Sequence, residues 1–130
     1  MVYENKQDWP EKYDINKLVS IQKSIDAFIS GEKISERRND RYADIGDEII
    51  LDGHLFIVED VYPQFLKDMT EKQAKDEGFE NLAQYKEVLT SIHDAVVWDP
   101  DQLVWAHYLK EKGSTINSVG EKITSTIFLL

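Results

Sequence analysis

The stretch Gly31-Glu32-Lys33-Ile34-Ser35-Glu36-Arg37-Arg38 decides how this chain is read. It opens on a glycine that closes an amphipathic helix, and then the period of the sequence changes. Upstream, Leu18, Ile21, Ile25, Phe28 and Ile29 follow helical spacing, which predicts a helix over Asn16–Ser30 with one buried stripe. Gly31 suits the position just past its end, where a left-handed residue is needed. Lys33–Arg38 then reads as a short strand, with Glu36 and Arg38 on one face and Ser35 and Arg37 on the other. Physics alone allows a plain reading of this strand as a solvated edge whose charges block edge-to-edge pairing.

Downstream, Glu48–Leu51 and His54–Tyr62 flank Asp52-Gly53, a strong hairpin signal, and Pro63 is expected to end the ladder because it has no N–H to donate. Thr70 with Gln73 has capping-box spacing at the start of a helix over Glu71–Glu77, which Gly78 ends. Asn81 caps the next helix, with Leu82, Tyr85, Val88, Leu89 and Ile92 facing inward. Asp99-Pro100-Asp101 is a turn, and Leu103–Leu109 reads as a strand rich in Val, Trp and Tyr. Residues 1–15 form an arm that lays Trp9 and Tyr13 on the domain. Residues 16–112 form that domain. Residues 113–130 form a tail, in which Ile123–Leu130 is expected to make one more strand or to pair with a second copy. The order of elements argues for an α+β fold, a small β-barrel with flanking helices, and against a doubly wound sheet.

The chain has 130 residues, with 15 Lys and Arg against 25 Asp and Glu, a net charge of −10. That balance disfavours sequence-independent coating of long nucleic acid, where phosphate neutralisation supplies the affinity. No cysteine is present, which excludes a disulfide framework, a thiol nucleophile and Cys-ligated metal. His54, His93 and His107 lack metal-site spacing, so neither metal nor cofactor is expected. No apolar run is long enough to span a bilayer, and the polar start resembles no secretory signal, so a cytoplasmic protein without membrane partner is expected.

Gly31, Lys33, Glu36 and Arg38 fill the pattern Gly-x-Lys-x-x-Glu-x-Arg, and Thr70, Ala74, Glu77, Gly78 and Phe79 follow in a second segment, Thr-x-x-x-Ala-x-x-Glu-Gly-Phe. With the Gly46-Asp47 turn between them, these segments resemble the ASCH domain, a relative of the PUA fold. The resemblance implies a partly open β-barrel whose cleft faces the motif and binds RNA or a modified nucleoside. One bacterial subgroup of that family looks like an N4-acetylcytidine amidohydrolase with a Lys, a Thr and a Glu at its site. Carried over, the Lys falls on Lys33, the Glu on Glu77, and the Thr position on Glu36, where this chain departs from the pattern.

Two readings of the motif follow. As a binding site, Arg38 offers a bidentate fork, Lys33 a point charge and Glu36 an acceptor for an exocyclic amine. Arg37 and Arg41 add to a spot in which Lys33, Arg37, Arg38 and Arg41 face Glu36 and Asp40, a local balance of 4 − 2 = +2. Tyr42 is the nearest aromatic and the expected stacking residue, ahead of Tyr62, Trp98 and Trp105. As an amidohydrolase or ribonuclease, Lys33, Glu77 and Glu36 would be catalytic, although a carboxylate beside Lys33 favours the ammonium and the missing hydroxyl removes an oxyanion donor. A third reading makes the motif structural and assigns function to the acidic surface or the tail. A monomer, or a homodimer formed through the tail, is expected.

Overall fold

The computed structural model describes residues 3–92 and 98–114. Its helices are α1 (Gln22–Ser30), α2 (Glu71–Asp76) and α3 (Leu82–Ile92), and its strands are β1 (Ser35–Arg38), β2 (Glu48–Leu51), β3 (His54–Phe65) and β4 (Leu103–Ser114). The four strands form one antiparallel sheet in the order β1-β4-β3-β2, curled into a half-barrel. Register shifts at Leu55/Phe56 and Val58/Asp60 bend β3 against β4. The concave side packs Leu18, Val19, Phe28, Ile49, Leu51, Phe56, Val58, Val61, Trp105 and Leu109. A second cluster of Leu66, Met69, Ala74, Tyr85 and Val104 seats α2 and α3, with Phe79, Leu82, Leu89 and Trp98 around it. The α+β expectation holds.

Local signals placed most of the turns. Gly31 stands at φ 88° and donates back to Ala27 and Phe28. Asp52 and Gly53 both have positive φ, as a primed hairpin turn requires. The capping box of Thr70 and Gln73 is closed in both directions, and Asn81 accepts from the Gln84 N–H at 2.8 Å. Trp9 packs edge-on to Trp105 of β4, and Tyr13 sits beside Tyr42.

Three expectations are corrected. The first helix does not run from Asn16. Asp14 caps a 3₁₀ turn at Ile15–Lys17, and α1 starts only at Gln22. The cause is Arg38, which donates to the Lys17 and Leu18 carbonyls at 2.9 and 2.6 Å. Those are acceptors a continuing helix would have used for its own bonds. Ile21 therefore leaves the buried stripe and is 57% exposed. Pro63 does not end β3, which runs on to Phe65. β2 pairs with β3 only as far as Ile57, so at Pro63 one side of β3 carries no strand and the missing N–H costs little there. β4 outlasts Leu109 and reaches Ser114, held by its pairing with the start of β3. The expected strand Ile123–Leu130, the tail-mediated dimer and His93 lie outside the described residues. Among the described residues no helix is long and apolar enough to cross a membrane.

His107 ties β4 to the motif strand. It is fully buried. Its Nε2 accepts from the Tyr42 N–H at 3.0 Å, so Nδ1 carries the proton and donates to the Glu36 carbonyl at 3.1 Å. Burial pushes its pKa down to about 4. The unfolded chain takes up this proton near pH 6.5, so stability is complete above that value and falls as pH drops toward 4, by about 3 kcal/mol in all. Denaturant melts of the wild type and His107→Gln check this. The wild type should lose stability between pH 6.5 and 5 that the variant does not, and parallel curves would show that His107 carries no such linkage.

Candidate functional site

β1 is an edge strand, and its free edge is covered by the end of α2. The Ile34 N–H donates to the Asp76 carbonyl at 2.8 Å, and the Arg37 N–H to Glu77 Oε1 at 3.3 Å. Gly78, at φ 95°, lets the chain turn directly after Glu77, close against the Lys33 side chain. The Glu77 carboxylate thus lies against the free edge of β1.

Three alternate residues use it. Lys33 Nζ donates to Oε1 at 3.3 Å and to the Glu77 carbonyl at 3.0 Å. Ser35 Oγ donates to Oε2 at 2.5 Å and Arg37 Nη1 does so at 2.8 Å. Lys33, Ser35 and Arg37 are the buried residues of this segment and alternate with Ile34, Glu36 and Arg38, so period 2 brings all three to the one carboxylate. Four donors occupy the acceptor capacity of Glu77. The rest of the Arg37 guanidinium is held by Gln64 Oε1 at 3.1 Å and the Tyr62 hydroxyl at 3.0 Å. Gln64 Nε2 donates to Gln73 Oε1 at 2.8 Å, and Gln73 Nε2 to the Tyr62 hydroxyl at 3.1 Å. The capping residue of α2 is therefore joined to the same network. Gln64, Tyr62 and Gln73 carried no sequence signal for this role beyond the cap itself.

Glu36 differs from Glu77. Its Oε1 lies 3.2 Å from Lys33 Nζ in an ion pair whose alignment makes no hydrogen bond, and it finds no other partner among the described residues. Burial raises the Glu36 pKa above the usual carboxylate value, against the pull of Lys33.

A cleft of about 620 Å³ opens over this cluster. Lys33, Glu36, Arg37, Arg38, Tyr42 and Glu77 line it together, the Arg37 side chain being fully buried. Ser20, Ile21, Ser24, Phe79, Tyr85 and Trp98 are also in the lining. Arg38 is committed to the Lys17 and Leu18 carbonyls and lies 4.6 Å from the Tyr42 ring centroid. Tyr42 is 7% exposed, packed among Arg38, Tyr13 and His107. Arg41 is not at the cleft: it donates to the Pro10 carbonyl, pairs with Asp44 and lies over Trp9. Sequence proximity grouped it with the motif, but the chain turns toward the arm after Asn39. Tyr62 and Trp105 are likewise absent from the cleft lining, whereas Trp98 is part of it.

The two carboxylates should answer substitution with opposite signs. Glu77→Ala leaves Arg37 and Lys33 buried without their shared partner and should cost about 3–5 kcal/mol. Glu36→Gln should raise the melting temperature at pH 7–8, because a carboxyl whose folded pKa is raised loses stability as pH climbs through it. The gain should vanish below about pH 4.5, where the unfolded carboxyl is also protonated. Thermal melts of both variants across pH 4–8 measure this. A Glu36→Gln protein that is less stable at pH 8 would mean the Lys33 pairing outweighs burial.

No family model matches the chain, and no curated protein matches it. Solved structures do. The chain is similar to the ASCH domain from Lactobacillus crispatus JV V101, with a TM-score of 0.56 and 16% identity over 80% of this chain and 77% of that one. It is similar also to a DUF984 protein of Enterococcus faecalis V583, with a TM-score of 0.51 and 18% identity over 70% of this chain and 68% of that one. With its half-barrel sheet and edge-docked α2, the chain has the fold of an ASCH domain.

Proposed function

We propose that the cleft binds a nucleoside unit, either a modified nucleoside or an RNA residue, through Lys33, Glu36 and Arg38. The observation that carries this reading is the lining of one cleft by all three, with the Glu36 side chain still 16% exposed. A base edge with an exocyclic amine can donate to such a carboxylate, as cytosine N4 does to a glutamate. The charges favour a base over a phosphate chain. Lys33, Arg37 and Arg38 stand against Glu36, Asp40, Glu77 and Asp99 in the lining, 3 − 4 = −1. Each of the three cations is already paired or hydrogen-bonded within the protein.

A second reading is amide hydrolysis on an N4-acetylcytidine-like substrate. What favours it is the contact of Lys33 Nζ with Glu77 inside the cleft. In that reading Glu77 is a positioning residue, since its oxygens are fully engaged. Glu36 and Lys33 are the groups left to move a proton. The same contacts leave Lys33 between two carboxylates.

A thermal-shift panel of cytidine, adenosine, N4-acetylcytidine and short single-stranded RNA tests the binding reading. A nucleoside at about 100 times its Kd should add about 2.7 kcal/mol of stability. Glu36→Gln should cut the shift, and a panel without any shift would sink the reading. For hydrolysis, the wild type should turn over N4-acetylcytidine weakly, and Glu36→Thr should raise the rate about tenfold or more, since one oxyanion donor contributes about 10²–10³. Fast wild-type turnover that falls in Glu36→Thr would make Glu36 itself the working residue.

A further inference from the structure

Ile21 is an anomaly in the molecule. It occupies the N-cap of α1, where Ser, Thr, Asn and Asp are favoured because their side chains bond the first free N–H groups. It makes no such bond, although Ser20 stands one residue before it. It is 57% exposed, while its helical neighbours Ile25 and Ile29 pack on the main core. An apolar side chain is thus held in the open at a position that suits a polar one. It lines the cleft.

The same cleft is lined by Trp98, which is half-buried. Tyr85 meets it edge-on at 6.4 Å and 87°, and Lys86 Nζ lies 4.8 Å from its ring centroid. Lys33 and Glu36 lie in the same lining. An exposed aliphatic side chain, an aromatic ring and a partly exposed carboxylate in one lining suit a flat, uncharged ring whose edge carries an N–H. They do not suit a phosphate, because no cation of the lining is free of an internal partner. We propose that Ile21 and Trp98 grip the base of the bound nucleoside, stacked with its amino edge toward Glu36. This rests on the nucleoside reading of the cleft and adds to it the two residues that hold the ring. It explains why α1 keeps a poor cap: the exposed isoleucine is covered when the base is bound.

The test is Ile21→Ser, which supplies the missing cap and removes the aliphatic side chain. Calorimetric titration with cytidine, N4-acetylcytidine and adenosine is run beside melts of the free proteins. The expected result is a free-protein melting temperature equal to or above wild type, with affinity at least tenfold lower. Trp98→Ala should also weaken binding, whereas Trp98→Phe should keep most of it yet lose the tryptophan quench that a stacked base produces. Wild-type affinity in both Ile21→Ser and Trp98→Ala overturns the grip while leaving the cleft reading intact. Nucleoside binding that survives Glu36→Gln and Lys33→Ala as well overturns both. So does a wild type that binds none of the three nucleosides. A marked fall in the melting temperature of free Ile21→Ser overturns the explanation of the poor cap.

Discussion

One buried carboxylate holds the motif strand in place. β1 has β4 on one side only, and the other side is closed by the last residues of α2. Glu77 satisfies a main-chain N–H of that edge and takes two cations, Lys33 and Arg37. Such a group is costly to bury and costlier to leave half-paired. Every neighbour that fixes its position is therefore under constraint. The capping box sets where α2 begins, and Gly78 sets where the chain turns away. Gln73 and Gln64 hold the guanidinium that holds the carboxylate. An exposed strand edge, a liability in most sheets, is here covered and chemically specified at once.

The same chemistry at Glu36 has a different outcome. Both glutamates sit near Lys33, but Glu77 collects four donors and Glu36 collects one poorly aligned ion pair. The difference comes from the strand. Glu77 lies against the free edge of β1, within reach of the Arg37 N–H and of Lys33, Ser35 and Arg37. Glu36 alternates with those residues, and its buried Oε1 has only the Lys33 ion pair. A buried acceptor left without an aligned donor is a cost to the fold that calls for an explanation.

Much of the fold was legible because its signals are local. Gly31, Asp52-Gly53, the Thr70 box and Asn81 each act within a few residues, and each stands where the sequence put it. The failures share a cause. The start of α1 moved because Arg38, twenty residues on, captures two helix carbonyls. Pro63 stays in β3 because β2 is too short to reach it. Arg41 left the site because the arm, which no motif described, offers it the Pro10 carbonyl and a tryptophan ring. Period-2 reasoning separated Ser35 and Arg37 from Glu36 correctly. It gave no hint that a helix end at the strand's edge would supply the carboxylate that Lys33, Ser35 and Arg37 share. Lys33 and Glu77 were legible as partners only through the family resemblance, since 44 residues separate them.

The motif reads as a basic spot, yet it does not behave as one. Lys33 faces two carboxylates, Arg37 is sealed among Glu77, Gln64 and Tyr62, and Arg38 closes off the turn before α1. Counting charges along the sequence overstates what is available to a ligand, because it ignores which charges the fold itself uses. With net charge −10 around it, such a cleft gains little from long-range attraction of phosphate. In the proposed reading its selectivity comes from short-range contacts: hydrogen bonds to Glu36 and surface matched to a ring. Affinity of that kind depends weakly on salt, in contrast to the steep dependence of proteins that neutralise phosphates. Of the motif's three fixed charged residues, Lys33 and Arg38 are already engaged by the protein itself, and Glu36 keeps the most unmet bonding capacity.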